Sequence, residues 1–365
     1  MTPPTLQSSL RRGLPAVLVG LALLVGTVTC SGRDGHDHVR ILNASYDTTR
    51  QFYREINAAF AEEWREATGQ TVTIRMSHAG SGSQARAVID GLRADVVTLA
   101  LAADIDAIAR HARLLPEDWQ ERLPHGSAPY SSTLAFLVRE GNPKGIHTWE
   151  DLAREGVEVI TPNPKTSGAA RWNYLAIWGG VLRSELGPDF AAMLQDPVHA
   201  EAVAAAQERA REVTARVYRN VPVLDAGARG STNTFIQRGM GDVLINWENE
   251  ILLGGHELDQ AGVEIVTPPV SILAEPPVAM LDAVVDQRGT REVAGAYLDF
   301  LYSRTGQEIA ARNYFRPVTP EILEEYSGRF PDLELFTVEE VFGGWTEANR
   351  LHFQEGASFD QIYAP

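Results

Sequence analysis

The sequence has little cysteine and too little positive charge to balance its acidic residues, and both shortages exclude classes of protein. One cysteine among 365 residues cannot form a disulfide within the chain, and it cannot build a Cys-rich metal site. Lys and Arg number 32 against 48 for Asp and Glu, so the formal net charge is −16. Nucleic acids and anionic membrane surfaces attract proteins with clustered positive charge. We therefore expect neither as a partner.

Long apolar runs are scarce as well, and the one near the amino terminus is typical of an export signal. Arg11 and Arg12 precede the uncharged run 13–29, which is followed by Cys30. A helix of that length only barely crosses the ~30 Å hydrocarbon core of a bilayer, so a cleaved signal is favoured over a permanent span. We predict a signal peptide over residues 1–29 and a mature protein in the periplasm or elsewhere outside the cytoplasm.

Cys30 lies at the position where bacterial lipoproteins are cleaved and acylated. The preceding Thr27-Val28-Thr29 departs from the usual lipoprotein pattern. The sequence leaves two alternatives, a lipid anchor through Cys30 and plain cleavage nearby. Residues 30–38 are rich in Gly, Asp and His, and we interpret them as a flexible tether.

Beyond the tether, the composition and the hydrophobic pattern predict an α/β protein. Hydrophobic residues make up 44% and charged residues 22%, as in ordinary globular proteins, and the length suits about two domains. Phe52, Ile56, Phe60 and Trp64 recur at helical spacing, and similar helices alternate with short apolar strands along the chain. This alternation predicts parallel-rich sheets flanked by helices. The long stretch 190–218 is predicted to be one helical scaffold.

Two strands that begin with proline predict where the chain passes between domains. Ser127-Ala128-Pro129 precedes the apolar run 134–138, and Glu275-Pro276-Pro277 precedes the run 278–285. Two crossings predict a two-strand hinge with a cleft between two lobes, although a chance similarity of the two strands is the alternative. The predicted lobes are 39–127 with 276–365 for lobe I, and 128–275 for lobe II.

Three loops of small residues follow predicted strands and open predicted helices: 77–82, 163–171 and 225–233. Such turns let a ligand approach unpaired backbone N–H groups at the positive end of a helix dipole. In open α/β sheets, ligands bind at the carboxyl ends of the strands, where all three loops lie. Ordinary helix capping by Ser, Gly and Asn is the alternative for each loop. Together the loops predict a cleft that holds a small anion by neutral donors.

The sequence has few of the motifs that enzymes need. No loop has the Walker or the dinucleotide-binding pattern, and no spacing predicts a metal centre or a resident cofactor. Gly80-Ser81-Gly82 is not the Gly-x-Ser-x-Gly elbow of hydrolases. We expect a binding protein and not an enzyme. An exported serine hydrolase that uses Ser81 is the alternative from a different class.

The loop sequences resemble the periplasmic sulfate-binding proteins, which capture the solute for sulfate/thiosulfate ABC importers. The resemblance covers nearly all of residues 39–363 and is carried by Asn43–Asp47, Ser77–Gly82, Ala94–Ala102, Thr161–Tyr174, Asp225–Thr234, Gly241–Glu250 and Phe342–Trp345. It implies a two-lobed periplasmic binding protein of type II that binds sulfate, with thiosulfate as the alternative ligand. It further implies a monomer whose partner is an ABC permease in the membrane.

The resemblance also implies a set of donors for the anion. They are the backbone N–H of Asp47, the hydroxyl of Ser81, the hydroxyl and backbone of Ser167, the backbone of Gly168, Ala169 and Ala228, and the indole N–H of Trp247. Thr48, Ala79 and Ala169 depart from the usual residues of this family, and Ala169 weakens binding only if it needs a positive φ. Arg171 and Arg229 are expected to pair with carboxylates such as Asp47 or Glu248.

Overall fold

The computed structural model describes residues 38–259 and 262–363, and the side chains of all of these except 254–259. The predicted signal peptide, Cys30 and nearly all of the predicted tether lie outside the described residues. Within them, no helix is both long enough and apolar enough to cross a membrane.

The strands are β1 His38–Tyr46, β2 Thr71–Ala79, β3 Val96–Thr98, β4 Tyr130–Ser131, β5 Leu134–Arg139, β6 Val159–Pro162, β7 Leu224–Asp225, β8 Val243–Trp247, β9 Val263–Val266, β10 Val270–Ile272, β11 Val278–Met280, β12 Arg316–Pro317 and β13 Glu334–Phe336. The helices are α1 Arg50–Thr68, α2 Ser81–Ile89, α3 Ala102–Ala112, α4 Pro124–Ser127, α5 Gly168–Leu186, α6 Phe190–Gln195, α7 Ala200–Arg219, α8 Ala228–Ile236, α9 Glu248–Asp259, α10 Asp282–Arg288, α11 Arg291–Phe300, α12 Arg304–Arg312, α13 Pro320–Glu325, α14 Val338–Phe342, α15 Trp345–Ala348 and α16 Ser358–Tyr363.

Two larger sheets carry the fold. The first has the order β11-β3-β1-β2, and the second has the order β7-β6-β8-β5-β9. Most neighbouring strands that are joined by helices run parallel, as the alternating pattern predicts. The helices bury apolar residues against the sheets, and α5 is buried along most of its length. The structure confirms the predicted α/β class.

The antiparallel strands in these sheets mark the places where the chain enters from the other sheet. β5 begins at Leu134, opposite Trp247 at the end of β8. β11 begins at Val278, opposite Thr98 at the end of β3. A strand that arrives from the opposite sheet starts at the edge where the parallel strands end, so it must run antiparallel to them. The chain therefore passes from the first sheet to the second before β5 and returns to the first sheet at β11.

Short strands hold the crossing segments together. β4 pairs with β12, and Ser132 exchanges backbone hydrogen bonds with Ala274 at 2.8 and 2.9 Å. A further connection follows β12, because β13 pairs in parallel with β10, which packs on α5. The last helix, α16, packs on α7 of the second sheet, although the sequence analysis assigned residues 276–365 to lobe I. The lobe boundaries themselves stay a prediction.

Several element boundaries differ from the predicted ones for local reasons. The stretch 190–218 is not one helix, because Pro197 has no backbone N–H and separates α6 from α7. The predicted strand 278–285 ends at Met280, since α10 begins at Asp282. The helix with the aromatic stripe ends as predicted at Gly69, whose φ of 74° suits the left-handed cap.

Candidate functional site

The three loops of small residues meet at the facing edges of the two sheets. Ser81 begins α2, Gly168 begins α5 and Ala228 begins α8. The first N–H groups of a helix have no acceptor within the helix, and the helix dipole gives that end a partial positive charge. The site therefore presents the positive ends of three helices to one region of the molecule.

The loops approach so closely that the glycines leave no room for a side chain. A Cβ at Gly168 would lie 2.7 Å from the Cβ of Ala100 and 3.0 Å from the Cβ of Ser81. A Cβ at Gly80 would lie 2.5 Å from the carbonyl oxygen of Thr166. These pairs join the first sheet's loops to the second sheet's loops. The two sides of the cleft are therefore in contact in this structure.

Trp247, at the end of β8, carries a donor without a partner. The side chain is fully buried, and no described atom accepts a hydrogen bond from its indole Nε1. Its ring lies 5.6 Å from that of Tyr46, next to Asp47. Trp172, by contrast, donates its indole N–H to the carbonyl oxygen of Ala100 at 2.8 Å. A buried donor without an acceptor is unfavourable and indicates a missing hydrogen-bond partner.

The Ser81 hydroxyl lies at the centre of a small network. Its Oγ donates to Oδ2 of Asp104 at 2.6 Å and accepts the N–H of Ala100 at 3.0 Å. Arg171 Nη1 lies 3.8 Å from the other oxygen of Asp104. Burial raises the pKa of Asp104, and the charge of Arg171 opposes this shift. A carboxylate, a serine and an arginine are thus linked at one wall of the site.

A second network surrounds Asp47. Its Oδ2 accepts the backbone N–H of Arg229 at 3.2 Å and would be 2.5 Å from a Cβ at Gly227. The Arg229 side chain pairs with Glu250 at 2.9 Å. Burial raises the pKa of Glu250 to about 7, with Arg229 opposing the shift and Asp47 adding to it. Burial raises the pKa of Asp47 as well.

The expected partners of the two arginines need correction. Arg171 pairs with Asp104, and the side chain of Arg229 pairs with Glu250 and not with Glu248. Glu248 instead forms a bidentate pair with Arg316 at 2.8 and 2.9 Å. The expectation that both guanidinium groups have carboxylate partners is confirmed. The identity of those partners depends on contacts between segments that are distant in the chain, and the spacing of residues in the sequence does not predict such contacts.

The residues implied by the resemblance lie together around this region. Asp47 and Ser81 are on the side of the first sheet, and the others are on the side of the second: Ser167, Gly168, Ala169, Ala228 and Trp247. All except Asp47 are buried. Asp104 and Glu250 also belong to the site, and the sequence analysis did not select them.

The residues that depart from the usual family pattern, Thr48, Ala79 and Ala169, are not among the described residues with a positive φ. Ala169 lies in the first turn of α5 and is not among the described residues with a positive φ. Its N–H can therefore point along the helix axis like that of a glycine. Thr48 is buried in the turn before α1, and Ala79 ends β2. Among the described residues, no group of three or more His, Cys, Asp or Glu could hold a metal ion.

Comparisons with known proteins agree with this architecture. A family described as "Bacterial extracellular solute-binding protein" matches residues 41–316. The chain is 53% identical over 344 residues to the sulfate-binding protein of Escherichia coli (strain K12), covering 94% of this chain and 98% of that one. It is 46% identical over 344 residues to a thiosulfate-binding protein of Pseudomonas aeruginosa, with the same two shares. The solved structure of the sulfate-binding protein SubI from Mycobacterium tuberculosis H37Rv has a TM-score of 0.74 and 28% identity, covering 87% of this chain and 100% of that one.

Proposed function

We propose that the chain, which belongs to the family of bacterial extracellular solute-binding proteins, captures sulfate between its two sheets and delivers it to an ABC importer. The observation that carries the proposal is the buried indole N–H of Trp247, which has no hydrogen-bond partner among the described residues and whose ring lies 5.6 Å from that of Tyr46, next to Asp47. An unprotonated oxyanion supplies the acceptor that this donor lacks. Binding then satisfies the donor and offsets part of the cost of burying the ion.

The donor set favours sulfate over phosphate. Sulfate carries two negative charges and no proton at neutral pH, so every oxygen is an acceptor. Phosphate keeps a proton near neutral pH, and a site that offers only donors leaves that proton unpaired. An unsatisfied buried polar group costs about 1–3 kcal/mol, which would disfavour phosphate by roughly five- to 150-fold.

Thiosulfate is the second candidate ligand. It is also a tetrahedral dianion without a proton, and the chain has relatives that bear the name thiosulfate-binding protein. The donors proposed for sulfate would serve it equally well. The larger terminal sulfur would have to fit beside the tightly packed loops at Gly80 and Gly168. We therefore place sulfate first.

We infer that binding proceeds without catalysis. The Ser81 hydroxyl donates to Asp104, and the hydrogen bond described for the nearby His78 goes to the carbonyl oxygen of Tyr46. A serine nucleophile needs a base that removes its proton and a third group that orients the base. The structure offers a carboxylate and no oriented histidine in the described hydrogen bonds of Ser81. A hydrolase that uses Ser81 would lose turnover in Ser81→Ala.

The proposed partners follow from the family. An extracellular solute-binding protein acts outside the cytoplasm and passes its ligand to a permease in the membrane, and we propose this role for the monomeric chain. Cys30 would hold it at the membrane if the residue is acylated. The strongly acidic charge means that sulfate is not attracted by the molecule as a whole. The local helix dipoles must provide the attraction.

Calorimetric titration of the ligand-stripped protein with sulfate, thiosulfate, molybdate and phosphate tests the proposal. We expect tight binding of sulfate, a change in tryptophan fluorescence and much weaker binding of phosphate. Trp247→Phe removes the indole donor and keeps an aromatic ring, so it should weaken sulfate binding about tenfold or more. Trp64→Phe is the matched control and should bind as the wild type does, because the Trp64 indole N–H, near the carboxyl end of α1, already donates to Gln70 at 3.1 Å. Folded protein that binds no tetrahedral dianion contradicts the proposal.

A further inference from the structure

The Ser81 hydroxyl has only one proton, and in this structure that proton is already used. Oγ donates to Asp104 at 2.6 Å, while one of its lone pairs accepts the N–H of Ala100 at 3.0 Å. Ser81 is 1% exposed and Asp104 is 5% exposed, so water cannot readily replace either bond. If Ser81 is to donate to a bound anion, it must withdraw its proton from Asp104.

The carboxylate of Asp104 keeps other favourable electrostatic interactions when the Ser81 hydroxyl turns away from it. Arg171 lies 3.8 Å from its Oδ1, and the residue lies in the first turn of α3, where the helix dipole favours a negative charge. The carboxylate therefore stays partly compensated. It nevertheless loses its shortest hydrogen bond, which is charge-assisted and hence stronger than a neutral one.

We propose that Asp104 is a specificity-determining residue that competes with the bound oxyanion for the proton of Ser81. The inference rests on the proposed capture of an oxyanion next to Ser81. An anion without a proton, such as sulfate, must take the Ser81 proton away from Asp104. An anion with a proton, such as hydrogen phosphate, donates that proton to the second lone pair of Oγ and leaves the Ser81–Asp104 bond intact.

Asp104 thus acts against the selectivity that the other donors establish. Its negative charge penalises sulfate twice, by direct repulsion and by holding the Ser81 proton. Hydrogen phosphate suffers only the repulsion, because Ser81 serves it as an acceptor. The preference for sulfate over phosphate in the wild type is then smaller than a donor-only site would produce.

Asp104→Asn tests the competition, because asparagine keeps the shape and removes the charge. We expect the ratio of phosphate to sulfate dissociation constants to rise about tenfold, mainly through tighter sulfate binding, since a neutral acceptor holds the Ser81 proton less strongly. Asp106→Asn is the matched control on the same helix, where the carboxylate accepts from Trp119 at 3.0 Å. That variant removes an equal charge and should leave the ratio unchanged.

The double variant Ser81→Ala/Asp104→Asn separates competition from simple charge or folding effects. Without the hydroxyl there is no proton to compete for, so the change from Asp104 to Asn should alter the ratio less than about twofold. A ratio that rises equally in both backgrounds, or sulfate binding that weakens in Asp104→Asn, overturns the inference.

Ser81→Ala alone provides a test that does not depend on the Asn variant folding. Competition predicts that it weakens hydrogen phosphate at least as much as sulfate, because Ser81 accepts the phosphate proton. A loss confined to sulfate would mean that Ser81 is a plain donor and would overturn the inference. If the wild type binds no oxyanion, the proposed function fails, whereas sulfate binding with an unresponsive ratio refutes only the role of Asp104.

Discussion

At the scale of single residues, the site depends on glycines, because a side chain at Gly168 would collide with the opposite side of the cleft. Gly168 faces Ala100 and Ser81 across the cleft, and even a methyl group would meet both at 3.0 Å or less. The neighbouring Ala169 lies in the first turn of the same helix and has no positive φ, so its backbone conformation does not require glycine. Of these two adjacent positions in the first turn of α5, only Ala169 has room for a Cβ.

Gly168→Ala should keep the two sides of the cleft from closing. We expect the affinity for sulfate to fall about a hundredfold, because the added Cβ clashes with Cβ atoms that belong to well-packed segments. Isothermal calorimetry measures the loss. Gly295→Ala, in α11 where a Cβ would meet no atom within 4 Å, is the control and should bind normally with slightly higher stability. Wild-type affinity in Gly168→Ala would refute the contact.

Glu250→Gln should stabilise the protein at high pH and not at low pH. Burial raises the pKa of Glu250 from an ordinary value of 4.5 to about 7, so the folded state disfavours its charged form. The resulting loss of stability develops as the pH rises from about 4.5 through about 7 and is constant above that. We expect the glutamine variant to gain about 2–3 kcal/mol in unfolding free energy at pH 8 and nearly nothing at pH 4.5. Urea titrations at both pH values measure this, and equal gains would contradict it.

At the scale of elements, the segments that join the two sheets are held by a buried ion pair. Arg316 of β12 forms two hydrogen bonds with Glu248, the residue that follows Trp247, and its guanidinium also lies over Phe330. The side chains of Arg316 and Glu248 are 14% and 2% exposed. The pair therefore connects β12 to the start of α9.

Removing one partner of this pair should cost much more than removing both. Arg316→Met leaves the carboxylate of Glu248 buried and unpaired, so we expect a loss of about 3 kcal/mol in unfolding free energy. The double variant Arg316→Met/Glu248→Leu should regain most of that loss, since apolar side chains replace both charges. Urea unfolding of the single and double variants measures the difference. An additive loss in the double variant would contradict the ion-pair account.

At the scale of the whole molecule, the carboxyl-terminal segment packs on the helices of the second sheet. His352 is buried among Tyr174, Trp178 and Phe342, with ring centroids 4.7 to 5.6 Å away. Burial lowers the pKa of His352 to about 4. The segment therefore depends on a histidine that stays neutral.

His352→Phe should make the protein more resistant to acid. Because the folded pKa lies below the unfolded value of about 6.5, the native state loses stability as the pH falls from 6.5 towards 4. We expect the difference between wild type and variant to grow by about 2–3 kcal/mol between pH 7.5 and pH 4.5. The exposed His111 provides a control in His111→Gln, which should behave as the wild type. Parallel acid curves for His352→Phe and wild type would refute the role of His352.

The sequence by itself predicted the α/β alternation and the small-residue loops, whereas the residues that would bind the anion stay a prediction. These features are local: the aromatic stripe of α1, the Gly69 cap and the loop before Gly168 each lie within a short stretch of chain. Pro197 also carried a local signal for the break between α6 and α7, which the helical composition around it obscured.

Only the tertiary structure decided the contacts between distant segments. Ser81 meets Asp104, Glu248 meets Arg316, and the chain after β12 pairs with β10 through β13. Hydrophobic periodicity reports which face of an element is buried and not which element covers it. A charged residue likewise has many carboxylates or guanidinium groups available along the chain, and folding selects the one whose burial and geometry compensate its desolvation.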